Sequence, residues 1–245
     1  MAYFIDHVGD ERYNLVNLGI SMEGYKGPEV SVSRTFFRDI PSDHPFWPSL
    51  SNIFTGGVHV NISDGRYAEM RGKQRKEGKT TVLSIGCASG EEALSIGMVA
   101  YSCQEWMKTR GDSGEIFGPG MNVEIVGVDL IPENIELAGR GRYPINFPDD
   151  IEPDFLRTCP ESYWKYFEKG GDGKWVVKED VRKMVKLEVG DIRTLDIKKY
   201  DPTVIVCRYV LDDFDEKVKK DLAAKLKGSA PAVFISQVGE RPILS

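Results

Sequence analysis

Four short stretches bring together residue types that can do chemistry. Gly86-Cys87-Ala88-Ser89-Gly90 is a turn of small residues followed by two acids, Glu91 and Glu92. Asp129 ends the apolar run VEIVGV. Gly190–Asp191 and Cys207-Arg208-Tyr209 each follow a further β-branched run, and Asp212 and Asp213 lie just beyond the latter. Glycines at 86 and 90 bracket a turn in which backbone can approach a ligand with no Cβ in the way. A carboxylate at the end of the second strand can accept hydrogen bonds from two neighbouring hydroxyls, and a second acid after the next strand can meet an exocyclic amino group.

Two nucleotide classes use such a turn. A dinucleotide site calls for G-x-G-x-x-G and an acid about 20 residues on. Here the glycines are G-x-x-x-G and Asp129 lies about twice that far downstream, which disfavours NAD. Glycine turn, ribose acid and adenine acid in this order describe a cradle for S-adenosylmethionine. Each feature is common by itself, since aspartate often caps a helix and glycine often only turns the chain. Their joint occurrence carries the weight.

These residues need elements to hold them. TTVLSI from Thr80 reads as a buried parallel strand stopping at Gly86. EEALSIGMVAYSCQEWMK has helical spacing, with Glu91 and Glu92 at the positive end of the helix dipole. VEIVGVD predicts a second strand, and PENIELAGRGRY a helix with Pro132 in its first turn. The stretch 144–186 breaks the alternation and reads as an insertion, helical in pieces and then two-stranded, rejoining the sheet at Val185–Val189. TVIVCRYV, DEKVKKDLAAKLKG and PAVFIS predict strand, helix and strand. Strands alternating with helices give a mostly parallel sheet covered on both faces, with ligand beyond the carboxyl ends of the strands where their order reverses. Residues 1–79 form an irregular N-terminal segment with aromatic pairs at Phe36–Phe37 and Phe46–Trp47, and a basic stretch, YAEMRGKQRKEGK, that predicts a solvated helix or loop. Residues 80–245 form the α/β domain.

The balance of the chain narrows the partners. Its 32 Lys plus Arg against 38 Asp plus Glu give a net charge of −6 over 245 residues, unsuited to tracking a phosphate backbone, so no nucleic acid is expected. Cys87, Cys103, Cys159 and Cys207 form no C-x-x-C pair, and His7, His44 and His59 stand apart, so neither a metal site nor a disulfide framework is expected. The N-terminus lacks the basic and apolar regions of a signal peptide, and no apolar run approaches the roughly 20 residues that span a bilayer. The expectation is a cytoplasmic protein without a membrane partner.

On these residues the chain resembles the CheR-type chemotaxis receptor methyltransferases, which methylate protein glutamates. LSIGCASGEEALSIGM is similar to that family's first motif, and VGVDLIPENIELAGRGRYP to its second strand and helix, with Gly139 where arginine usually stands. YFEKGGDGKWVVKEDVRKMVKLEVGDI resembles its small antiparallel subdomain and following strand. VIVCRYVLDDFDE resembles its Cys-Arg-Asn motif, and SRTFFRD its Phe-Phe-Arg segment. The resemblance covers roughly residues 33–236. It implies a doubly wound, Rossmann-like α/β fold of the class I methyltransferase type, with a mostly parallel sheet and a small antiparallel β insertion. It implies S-adenosylmethionine as cofactor and S-adenosylhomocysteine as product. Glu91 would meet the methionine amino group, Asp129 the ribose, and Asp191 and Ile192 the adenine. Gly86, Ala88, Gly90, Leu130, Arg208 and Tyr209 complete the implied cofactor set. Arg38 would reach over cofactor and acceptor, and Arg208 would lie at the methyl-transfer end.

The departures bear on the acceptor. Tyr209 stands for the family's asparagine and Asp213 for its tyrosine, while Val32 and Arg34 replace the asparagine and threonine before Phe-Phe-Arg. Most of the N-terminal helical domain and a last β-hairpin are not evident. A carboxylate acceptor is already anionic and needs only a guanidinium such as Arg38 or Arg208 to fix it. A second carboxylate beside it, Asp213, would repel it and suits an amine or hydroxyl acceptor better, as a base. Asp212 and Asp213 can equally be helix caps in solvent. Three readings stay open: transfer to a protein side-chain carboxylate, to which the insertion would add an extended peptide as a strand; transfer to an amine or hydroxyl on a small molecule or another protein; and a cofactor-binding module without catalysis.

Overall fold

The computed structural model describes residues 11–17, 19–27, 29–32, 36–37, 46–55, 64–109, 122–143, 159–236 and 243–244. Arg38, the glycine-bearing loop 111–120, His7, His44, His59 and the first part of the expected insertion, 144–158, lie outside them. The elements in order are β1 (Glu11–Asn14), β2 (Glu29–Val32), α1 (Phe46–Thr55), α2 (Asp64–Glu77), β3 (Thr80–Ile85), α3 (Glu91–Thr109), β4 (Val123–Asp129), α4 (Pro132–Arg140) and β5 (Arg142–Tyr143). Then come α5 (Glu161–Trp164), β6 (Phe167–Lys169), β7 (Trp175–Val177), α6 (Glu179–Arg182), β8 (Val185–Val189), β9 (Val204–Arg208), α7 (Glu216–Lys227), β10 (Ala232–Ser236) and β11 (Ile243–Leu244).

The main sheet has the order β11-β10-β9-β3-β4-β8. β8, β4, β3, β9 and β10 are parallel, and β11 closes the edge antiparallel to β10 through Phe234↔Leu244 and Ile235↔Ile243. The chain runs outward from β3 through β4 to β8, then returns to β9 on the other side of β3. Order therefore reverses between β3 and β9, where a doubly wound sheet leaves a crevice. A separate small antiparallel sheet, β5-β7-β6, is present as the resemblance implies, but it begins at Arg142–Tyr143, which the spacing places in the helix, and its β6 falls in a stretch read as helical. β1 and β2 form a hairpin that the sequence reading did not anticipate.

Residues of one strand alternate between two cores. Val82, Ile125, Val204, Val206 and Phe234 face α1, α3 and the small sheet, whereas Leu83, Ile85, Val126, Val128, Ile205 and Val233 face α7. α1 was expected only as an aromatic pair. Its Phe46, Trp47, Leu50, Ile53 and Phe54 share one face at spacings of three and four and bury it against the first core. Each such fully buried side chain stabilises by about 2 kcal/mol relative to exposure. α3 is buried around most of its first turns because α1 covers the side turned away from the sheet. Gly97 within α3 lets Val181 of α6 come to 3.1 Å of where a Cβ would stand, so the small sheet docks closely. Among the described residues no helix is long and apolar enough to cross a membrane.

Candidate functional site

The residues singled out by sequence converge on the carboxyl ends of β3, β4, β8 and β9. β3 stops because Gly86 takes φ +73°, and its N–H donates to the Val128 carbonyl at 2.7 Å. Ala88 follows at φ +50°, a left-handed conformation that costs a non-glycine residue about 1 kcal/mol. That strain is held by one long-range bond: the Ala88 N–H donates to Asp129 Oδ2 at 2.8 Å. Asp129 Oδ1 accepts from the Ile131 N–H at 3.0 Å and from Asn134 Nδ2 at 3.2 Å. The carboxylate thus joins the β3 turn to the start of α4. Its burial pushes its pKa up, against the three hydrogen bonds that pull it down. Three of its roughly four acceptor positions are in use, which leaves one open to a ligand hydroxyl.

The two glycines also have side-chain neighbours that leave no room for a Cβ. A Cβ on Gly86 would stand 2.1 Å from Val210 Cγ2, and one on Gly90 would stand 2.7 Å from the Ala138 Cβ. Glu91 is buried at the α3 N-terminus, where its carboxylate accepts from Ser89 Oγ at 2.7 and 3.0 Å. Tyr143 from the small sheet donates to the Ser89 carbonyl at 2.8 Å, tying that sheet to the turn. Phe37 of the Phe-Phe-Arg segment also takes positive φ, and its N–H donates to Ser95 Oγ on α3 at 3.0 Å. Phe36 packs edge-on to Tyr143 and Phe167, so these two phenylalanines sit between α3 and the small sheet.

At the end of β9, Arg208 is turned into the protein. Its guanidinium is 1% exposed, its Nη1 donates to Glu92 Oε2 at 3.4 Å, and it lies 4.5 Å over the Phe46 ring, with Trp47 and Tyr209 further out. Ser84 Oγ donates to the other Glu92 oxygen at 2.8 Å. Glu92, read from sequence only as a helix-dipole acid, is the residue that aims this arginine. Tyr209 follows at φ +63°. Asp213 sits in a short 3-10 turn, Leu211–Asp213, and neither it nor Asp212 caps α7, whose N-cap is Asp215. Burial, reinforced by the Asp212 charge and opposed by Lys26, pushes the half-buried Asp213 carboxyl up to about 6.

At the end of β8, Asp191 is engaged. Both its oxygens receive Arg193 Nε, at 3.0 and 2.8 Å, Oδ1 also receives the Arg193 N–H at 2.9 Å, and Nη2 closes on Oδ2. Arg193 Nη1 in turn donates to the carbonyls of Ser21 at 2.9 Å and Glu23 at 2.7 Å, and its plane lies 4.7 Å over Tyr25. Ile192 beside it is buried in the α7-side core. Tyr25 stacks on Phe214 with ring centroids 4.4 Å apart. Sequence reading missed Arg193 and Tyr25, and no local spacing marks them. Lys225 of α7 anchors the same loop, donating to the carbonyls of Leu195 at 2.9 Å, Ile192 at 3.2 Å and Arg193 at 3.5 Å. Among the described residues no group of three His, Cys, Asp or Glu is placed to hold a metal ion.

Strand order, reversal point and a glycine turn answered by a strand-end aspartate define a Rossmann-like fold of the class I methyltransferase type. Residues 59–233 match the family described as CheR methyltransferase, SAM binding domain, and the chain belongs to that family. Its cofactor is S-adenosylmethionine. The chain is 31% identical over 201 residues to a chemotaxis protein methyltransferase of Borreliella burgdorferi, covering 80% of this chain and 59% of that one. It is 29% identical over 152 residues to chemotaxis protein methyltransferase 1 of Pseudomonas aeruginosa, covering 60% and 49%. The chain thus spans about half the length of these curated relatives. Among solved structures, PKMT2 from Rickettsia typhi in complex with AdoHcy is similar at a TM-score of 0.39 and 17% identity, over 82% of this chain and 25% of that one.

Proposed function

We propose that this protein transfers the methyl group of S-adenosylmethionine to a side-chain carboxylate of a protein. The observation that carries the reading is the Ala88–Asp129 hydrogen bond, which brings the glycine turn and the strand-end acid together at the carboxyl ends of β3 and β4, beside the reversal point of the sheet. The donor set fits the cofactor. Asp129 keeps an acceptor position for a ribose hydroxyl, and the buried Glu91 supplies negative charge for an ammonium. Gly86, Ala88, Gly90, Leu130, Asp191, Ile192 and Tyr209 would line the rest. When bound, the sulfonium supplies an activated methyl, so the protein's task is alignment of acceptor and methyl rather than proton removal. Arg208, fixed by Glu92, contributes a buried positive charge to the wall of the site, and Arg38 is proposed to reach the acceptor. The names of the relatives support a protein acceptor in chemotaxis signalling.

The test is transfer of labelled methyl to acidic proteins or peptides. Label released as methanol by mild alkali is expected, and base-stable label would sink the ester. One observation favours a second reading: Asp213, pushed up to about 6, is poised as a base near neutrality, as an amine or hydroxyl acceptor requires. Under that reading transfer rises as pH passes about 6, and Asp213→Asn abolishes the rise. Cofactor binding without any transfer would leave a binding module.

A further inference from the structure

The connection between β1 and β2 lies across the site. Its residues 19–26 are fastened on both sides of the crevice. On the β8 side, Arg193 holds the Ser21 and Glu23 carbonyls and covers the Tyr25 ring. On the β9 side, the Lys26 N–H donates to the Asp213 carbonyl at 2.9 Å and the Asp215 N–H to the Gly24 carbonyl at 2.8 Å, while Tyr25 stacks on Phe214. Gly24 takes φ +82°, and a Cβ there would stand 2.7 Å from Val218, so the chain is pressed onto α7. Beneath, Leu15 is fully buried in a small cluster with Ile131, and Ile20, Met22 and Tyr25 pack there with Ala88 and Leu130. Ala88 and Leu130 are two of the residues expected to meet the cofactor. The charges of Asp129, Asp191 and Asp213 all act on the Tyr25 hydroxyl, which places it among the site's carboxylates.

We infer that residues 19–26 are a strap that must lift for cofactor to enter or leave, and that Arg193, aimed by Asp191, is the positioning residue that latches it. The inference rests on the cofactor reading above. Asp191 spends both oxygens on Arg193, so it acts on the site through the strap. Three kinds of contact meet at Arg193: a carboxylate fork, two backbone carbonyls and an aromatic face. Losing it leaves the β9-side bonds and the apolar packing beneath to hold the strap.

The experiment is rapid-mixing binding of labelled S-adenosylhomocysteine to the full chain, with Arg193→Leu and Tyr25→Ala each checked for cooperative melting. The variants are expected to associate and dissociate at least tenfold faster than wild type, with a much smaller change in Kd. Amide exchange should accelerate in residues 19–26 and not in β3 or β4. An Arg193 that only stabilises the fold would lower Tm and leave both rates as they are. Wild-type rates in both folded variants overturn the strap and leave the cofactor reading standing. Binding by neither wild type nor variants overturns the cofactor reading and the strap with it. Binding by a latch variant where wild type binds none supports the strap in its strongest form.

Discussion

At the β3–β4 end of the site, Ala88 and Asp129 are 41 residues apart and belong to consecutive strand–helix units, and a single buried carboxylate gathers three donors from the turn and the next helix. At the β8–β9 end, Arg193 reaches carbonyls 172 and 170 residues away, and the wall is built from a hairpin connection at the far end of the chain. Both ends present an aspartate where a strand stops: Asp129 is the last residue of β4, and Asp191 stands two residues beyond β8. Asp129 holds the site's own backbone, whereas Asp191 holds an arginine that holds something else. A strand-end acid in this fold therefore has no fixed partner, and its role follows from what the distant chain brings to it.

The largest break in that comparison is expected from Asp129→Ala. It strands three donors in a buried place, each worth about 1–3 kcal/mol, so a loss of about 3 kcal/mol in urea unfolding should accompany loss of S-adenosylhomocysteine binding by calorimetry. Unchanged affinity would show that the carboxylate does not meet the cofactor. Next comes Gly86→Ala, which combines a left-handed φ with a clash against Val210 and should cost about 2 kcal/mol. Val210→Ala in the same chain should return the steric part of that cost and leave the backbone part, a difference read from a double-mutant cycle. At the other end, Lys225→Met removes one ammonium from three carbonyls of the Ile192–Leu195 loop and should cost about 1 kcal/mol. Exchange should quicken in that loop while β3 and β4 keep their protection.

The smallest effect is a tilt with pH. Asp213 has a folded pKa raised to about 6 from an ordinary carboxylate value near 4, so the folded state binds more protons than the unfolded one between those values. Its contribution is most favourable below about pH 4 and is lost as pH rises to about 6, after which it is constant. Solvent at this partly exposed group keeps the slope shallow. Tm of Asp213→Asn relative to wild type should therefore climb between pH 4 and 6 and level off above. A flat difference would mean that the carboxyl is not destabilised by its surroundings.

Legibility from sequence divides along the same line. Thr80–Ile85 and Val123–Asp129 were readable as buried parallel strands because both faces are covered, and Glu91 as a helix start because the acids sit at its N-terminus. Asp129 was readable because its neighbours in the fold are its neighbours in the repeating strand–helix pattern. α1 carried a signal that was passed over: Phe46, Trp47, Leu50, Ile53 and Phe54 recur at helical spacing, but a proline at 48 and polar residues between them blur it. Gly86 was readable as a turn, but not its packing against Val210, more than a hundred residues on. Tyr25 and Arg193 were beyond reach, since nothing within a few residues of either specifies a partner so far away.

The strap also sets an order of events during synthesis. Ser21 leaves the ribosome 172 residues before Arg193, its nearest fastening, and Phe214 follows later still. At ordinary elongation rates that interval is roughly 10–30 s. For that time the first-made part of the chain has no site to cross. The strap is thus the first-made part of this wall and the last to be fastened, since its contacts with Arg193, Asp213 and Phe214 wait for β8 and β9.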